Sequence, residues 1–165
     1  MSTDNPEFGG ETTELPSELE LPVLAIRNTV IFPVLAFPIN VGREKSLKAI
    51  EQAMEGDRLL GIVAQREARN EDPDPEELYQ TGTVVKILKS VIMPGNKLNV
   101  IIQGISRIKV RDWQETDPFL KATVDVFPQP EVEGEEFDTL LSNLRELARK
   151  IIDLSPHIPS EASFL

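Results

Sequence analysis

Two runs of apolar and β-branched residues, 82–93 (GTVVKILKSVIM) and 97–113 (KLNVIIQGISRIKVRDW), flank Pro94-Gly95-Asn96. Pro presets one turn dihedral, and Gly and Asn tolerate the left-handed conformation, so the tripeptide reverses the chain. The pattern predicts a long β-hairpin, which needs further strands or a helix to bury its apolar face. In the second run Val100, Ile102, Gly104, Ser106, Ile108 and Val110 share one parity. Asn99, Gln103, Arg107 and Lys109 occupy the other, together with Ile101 and Ile105. A period of two with one dry face fits a curved sheet or a barrel wall. Gly104 in mid-strand predicts a bulge or a sharp bend.

Upstream, Pro22, Pro33 and Pro38 stand among apolar residues and forbid a long helix. That segment reads as a strand at 23–27, an apolar loop at 30–35 and a strand at 37–41. Residues 44–55 (EKSLKAIEQAME) form a helix with Leu47, Ile50 and Met54 on one stripe and a Glu44–Lys48 pair on another side. Gly56 is placed to end it in a left-handed conformation. The run 59–65 (LLGIVAQ) is a buried strand, 66–80 a loop broken by Pro73 and Pro75, and 119–127 a last strand. After Pro128 and Pro130 the period changes. Phe137, Leu140, Leu141, Leu144, Leu147, Ala148, Ile151 and Ile152 follow helical spacing, giving an amphipathic helix that ends before Pro156. The fold class is α+β: mainly β, with one short helix and a C-terminal amphipathic helix. The chain stops on Phe164-Leu165 without a polar finish, so the natural chain is expected to continue.

The 165 residues carry 17 basic and 28 acidic side chains, one His and no Cys. Disulfides and thiolate metal sites are excluded, and a single His argues against zinc. The net charge of −11 is unevenly spread. Residues 1–20 contribute −6, 67–77 contribute −5 and 131–138 contribute −5, so everything else sums to +5. The acidity sits in a leader, a loop and a connector, and the folded body is mildly basic. Residues 1–20 are too polar to offset their ordering entropy and read as a disordered acidic leader. They lack the basic start and apolar core of a secretory signal. No apolar run approaches the roughly 18 residues that span a bilayer. The overall charge disfavours nucleic acid and anionic membranes as partners.

Site chemistry is sparse. Gly56 to Gly61 has the spacing of a phosphate-binding loop, but Ile62-Val63 replace the Lys and hydroxyl that such a loop needs. His157 sits two residues from Ser155, a spacing that rarely aligns a nucleophile with its base, and no third group orients it. Asp72, Asp74, Glu76 and Glu77 lack the turn Gly of a calcium loop and are interrupted by Pro. No catalytic residue, metal site or cofactor is expected. What stands out is apolar material at turns: residues 30–35 (VIFPVL) and the hairpin tip Ile92-Met93-Pro94. Such residues are either core or an exposed patch that marks an interaction site.

The stretch LPVLAIRNTVIFPVLAFPINVGREKSLKAIEQAM resembles the start of ATP-dependent Lon proteases of the LonA type, whose usual pattern is LPxLPLRDxVxFPxxxxPLxVGRxxSxxAIxxA. Leu21, Pro22, Leu24, Arg27, Val30, Phe32, Pro33, Pro38, Val41, Gly42, Arg43, Ser46, Ala49 and Ile50 match it. Ala25, Ile26 and Asn28 depart from it. Gln65, Leu78-Tyr79, Gly82-Thr83 and the segment 104–107 also fit, so the resemblance covers about residues 20–127. It implies a PUA-like pseudo-barrel over 21–128, with a connector and the start of a helical subdomain over 129–165. It further implies a substrate-recognition and assembly module, whose ATPase module, with its ATP and Mg, and whose protease module lie elsewhere. The expected partners are unfolded or damaged proteins and the other subunits of a homo-oligomer, hexameric in full-length relatives. The expected location is the bacterial cytoplasm, with an organelle matrix as the other setting. Candidate substrate contacts are Phe32, Val34, Leu35, Ile92, Met93 and Leu98. Candidate oligomer or interdomain contacts are Leu140, Leu144, Leu147 and Ile151. The alternative is a stand-alone adaptor that carries only this domain.

Overall fold

The computed structural model describes residues 15–128, 130 and 132–155. His157, the Phe164-Leu165 end and the leader up to residue 14 lie outside the described residues. The chain divides into two compact units, Met1–Gln129 and Pro130–Leu165.

The first unit contains β1 (Glu18–Ile26), β2 (Ala36–Val41), α1 (Glu44–Glu55), β3 (Leu59–Gln65), a 3₁₀ turn (Pro75–Glu77), β4 (Leu78–Met93), β5 (Lys97–Glu115) and β6 (Leu120–Phe127). The strands form one sheet in the order β2-β5-β4-β3-β1-β6, and β5 also pairs with β6. That second pairing curls the sheet into a near-closed ring. Only β1 and β3 are parallel.

β5 makes this possible by changing partners along its length. Its first half, from Leu98 to Gln103, pairs with β2, and its second half, from Arg107 onward, pairs with β6. The switch falls at the predicted bend. Val84 opposes Ser106 and Val85 opposes Gly104, which leaves Ile105 as the extra residue of a bulge. A bulge bends its strand and increases the local twist, which re-aims the second half of β5. The hairpin tip is the predicted turn, with Gly95 at φ 82° and Asn96 at φ 54°.

Two apolar clusters lie on the two faces of the β1–β3–β4 layer. Leu24, Leu60, Ile62, Val85 and Ile87 pack with the α1 residues Leu47, Ile50 and Ala53 and with Ile39, Val100 and Ile102. Leu21, Val23, Val63 and Val84 pack with Ile108, Val110, Ala122 and Val124 inside the ring. Strands covered on both faces read as unbroken apolar runs, which is why 59–65 does not alternate.

Several expected boundaries shift for physical reasons. β1 begins at Glu18, inside the expected leader and upstream of the expected strand start at Val23, because Glu18 to Pro22 pair with Asp125 to Lys121 of β6; Glu20 also forms an ion pair with Lys121 on that strand, and Glu18 with Arg111 on β5. Arg111 also pairs with Asp125, and these carboxylate bonds raise its pKa. β4 begins at Leu78, inside the expected loop, because Leu78 is buried and pairs with Gln65. The α1 stripe is Leu47, Ala49, Ile50 and Ala53, with Met54 only partly buried. Glu44 and Lys48 form the predicted pair at 2.8 Å. Gly56 is not left-handed: its φ is −102°, and the positive φ falls on Arg58 at 63°. The chain reversal is completed there because the Arg58 N–H donates to Ala53 O and its carbonyl accepts from the Ile87 N–H, both at 2.9 Å.

The loop after β3 is held by one buried amide. Gln65 accepts from the Arg43 guanidinium at 2.7 Å and donates to the carbonyls of Glu67 and Asn70 at 3.2 and 2.9 Å. Asn70 in turn donates to Glu77 at 2.7 Å, and the Asp74 N–H donates to the same carboxylate at 2.9 Å. The Asp74 backbone bond, then the Asn70 amide, lowers the Glu77 pKa. Lys45 on α1 pairs with Asp72 at 2.7 Å. The acidic residues of this loop therefore tie down a turn. Among the described residues no group of three His, Cys, Asp or Glu could hold a metal ion.

The second unit is described by its one helix, α2 (Glu135–Leu154). Glu135, Glu136 and Asp138 sit in its first turn, where the helix dipole favours negative charge. No residue of α2 is buried. No helix among the described residues is long and apolar enough to cross a membrane.

Candidate functional site

Residues 30–35 of the loop between β1 and β2 are all apolar, and the structure separates its inward residues from its outward ones. Ile31 and Pro33 are buried, while Val30, Phe32, Val34 and Leu35 are exposed. The inward side is fastened in three places. The buried Thr83 hydroxyl donates to Ile31 O at 2.6 Å. The Val34 N–H donates to Gly104 O at 2.9 Å, and the Gly104 N–H donates to Leu35 O at 3.0 Å. Gly104 is required for this approach: a Cβ there would lie 2.3 Å from Phe32 O. Val34 has φ 74°, a left-handed conformation that a β-branched residue adopts only when its surroundings enforce it. The loop thus presents Phe32 (53% exposed) and Val34 (68%) on a fastened backbone.

The second apolar group is the β4–β5 tip. Ile92 is 84% exposed and Met93 is also exposed. Leu98 differs. It is half-buried and packs against the core under β2, opposite Val41, because it faces inward where the hairpin joins the body. The two groups are not contiguous. Gly104, beneath the loop, is six residues along β5 from Leu98, roughly 20 Å at about 3.3 Å per residue.

The outer face of the β2–β5–β4 wing lies between them. Asn40, Asn99 and Val91 line up across the three strands, as do Pro38, Ile101 and Lys89. Val91 and Ile101 are exposed there, and Leu88, the extra residue of a second bulge, is exposed beside them. These apolar residues were absent from the sequence candidates. Their signal was Ile101 standing on the polar parity of its strand.

The phosphate-loop spacing from Gly56 to Gly61 is the turn from α1 into β3. On α2, Leu140, Leu144, Leu147 and Ile151 are 56–63% exposed, and with Phe137 and Leu154 they repeat every three and four residues.

Comparison with known proteins agrees with this architecture. The family model of the ATP-dependent protease La (LON) substrate-binding domain matches residues 20–164. The chain belongs to that family. It is 36% identical over 164 residues to a Lon protease of Cytophaga hutchinsonii, covering 98% of this chain and 20% of that protein. It is 38% identical over 163 residues to a Lon protease of Flavobacterium johnsoniae, with the same 98% and 20% coverage. The chain therefore spans about a fifth of the length of the curated relatives it matches, and their protease module is outside it. Two solved structures share the fold. The N-terminal domain of a Mycobacterium avium complex Lon protease superposes with TM-score 0.62 at 22% identity, covering 82% of this chain and 68% of that one. A Lon N-terminal domain protein from Xanthomonas campestris gives 0.60 at 18% identity, covering 78% and 72%. The mainly-β near-ring with one short helix and a C-terminal helix is the fold of these domains.

Proposed function

We propose that this domain captures unfolded, damaged or degron-bearing polypeptides and passes them to the ATP-driven protease of a longer Lon chain, in bacterial protein quality control. The observation that carries the reading is the outward set Phe32, Val34 and Leu35 on fastened backbone, with Ile92 and Met93 exposed at the hairpin tip. Unfolded chains share exposed apolar groups and little else, so a receptor for many of them needs apolar contacts without fixed sequence. Met93 adds a flexible, polarisable contact. The bacterial relatives support a cytoplasmic setting.

Amide-resolved NMR titration of this chain tests the reading. An unfolded polypeptide is expected to shift residues 30–35 and 92–98, and its folded form to leave them unmoved. Phe32→Ala and Met93→Ala are expected to weaken that binding roughly tenfold together, about the loss of two partly buried apolar contacts. Their unfolding free energies should stay within about 0.5 kcal/mol of the parent, as for surface substitutions. Absence of shifts with either partner overturns the reading. Unfolding of the variants instead of weakened binding would place the two side chains in the core.

A second role follows from the spacing on α2. We infer that Leu140, Leu144, Leu147 and Ile151 are covered in the working protein by another subunit of a homo-oligomer or by a following helix. A solitary amphipathic helix in water is marginal, and its apolar stripe supplies its stability only when covered. Sedimentation is expected to show self-association of this chain that Leu144→Glu abolishes. A strict monomer at high concentration would assign assembly to other modules.

A further inference from the structure

A groove of about 710 Å³ is lined by Leu24–Arg27 of the β1 end and by Phe37–Gly42 of β2. Both walls are strand edges without a strand partner. β1 pairs with β6 only up to Val23, so from Leu24 to Ile26 it has β3 on one side and no strand on the other. β2 pairs with β5 alone. Among the described residues no backbone hydrogen bond outside the sheet ladders reaches either edge. Pro38 has no N–H to give on β2, so the β1 edge at Leu24–Ile26 is the one that can accept an added strand.

The charge of the groove is equally one-sided. Arg27, Arg43 and Lys97 line it against the single acid Glu71. Neither guanidinium meets a carboxylate among the described residues: Arg27 donates to the carbonyl of Ala68 at 3.4 Å and Arg43 to the neutral Gln65 amide. Lys97 makes no ion pair there either, and its stem crosses Gly42. Burial, then the neighbouring Arg27 charge, lowers the Arg43 pKa, and the carboxylates of Glu71 and Asp72 oppose that shift only in part.

We propose that this groove takes an extended acidic segment of polypeptide, which adds as a strand along a free edge and sets a carboxylate between Arg27, Arg43 and Lys97. Charge-assisted bonds to guanidinium are strong and directional, and backbone pairing makes no demand on the remaining sequence. The proposal rests on the reading of the domain as a polypeptide-capturing module. It gives that module a preference its apolar patch cannot supply.

Two unfolded peptides of equal apolar content, one bearing a Glu cluster and one a Lys cluster at the same positions, separate the cases. The 165-residue chain is titrated with each by NMR. The Glu peptide is expected to shift the amides of 24–27 and 37–42 and to bind roughly tenfold tighter than the Lys peptide, as a new carboxylate–guanidinium contact allows. Arg27→Gln with Lys97→Gln, which leaves the Arg43–Gln65 bond intact, should erase that difference. Shifts from both peptides confined to residues 30–35 and 92–98 would overturn the groove and leave the capture reading standing. No shifts with either peptide would overturn both. An equal response of 24–27 and 37–42 to inorganic phosphate at matched concentration would reduce the site to a small-anion contact and overturn the strand addition.

Discussion

Replacing Gly104 by alanine is expected to destabilise the first unit by about 3 kcal/mol, the upper range for forcing a group into packed space. The added Cβ would stand 2.3 Å from Phe32 O and 2.9 Å from the Pro33 Cα, both backbone atoms that cannot rotate away. Relief requires residues 32–35 to lift from β5. That would break the bonds from Val34 to Gly104 and from Gly104 to Leu35 and draw Ile31 from the core. Gly61→Ala is the control. Its Cβ would meet Leu21 Cδ1 at 2.7 Å, with Ile108 Cδ1 and Val23 Cγ2 at 3.3 Å, all ends of side chains that can turn. The expected cost there is below about 1.5 kcal/mol. Urea denaturation of both variants compares the two. Equal midpoints would mean that the loop does not lie on Gly104. In the Gly104 variant, faster amide exchange confined to residues 30–35 would instead mark local release of the loop.

Gln65→Leu is expected to cost about 3 kcal/mol, three hydrogen bonds at roughly 1 kcal/mol each with no replacement. Leucine preserves the volume but leaves the Arg43 guanidinium and the carbonyls of Glu67 and Asn70 without their partner. The loop 66–77 would then be held by the Arg66 N–H bond to Glu77 O at its base, the turn around Glu77 and the Lys45–Asp72 pair. Exposed pairs of this kind contribute at most about 1 kcal/mol. The accompanying result should be proteolytic nicking within 66–74 under native conditions. A variant that keeps both the parent midpoint and the parent protection would show that water replaces the amide at no cost.

Much of this domain was legible in one dimension because it rests on local rules. The hairpin 82–113 follows from a period of two around a Pro-Gly-Asn turn, and α1 and α2 follow from apolar stripes of helical period. The bend at Gly104 was visible as a glycine in a strand. The site was legible only in part. Residues 30–35 were recognised as apolar, but which of them face water depends on a hydroxyl 52 positions away, Thr83, and on the Gly104 backbone. Leu98 and Ile92 have similar side chains and oppose each other on the hairpin, yet one packs on the core and the other projects beyond its end. Ile101 carried the one local hint of an apolar outer face.

The amino-acid order alone determined the elements, the family and the absence of thiol chemistry, because each depends on residue identity and short spacings. The tertiary structure decided what is open. The closure of β5 onto both β4 and β6 turned the 59–65 run into a wall buried on both sides. It also left β1 and β2 with free edges around a cationic groove. Exposure is a property of what packs above a residue, and partners far apart along the chain become neighbours only when the sheet closes.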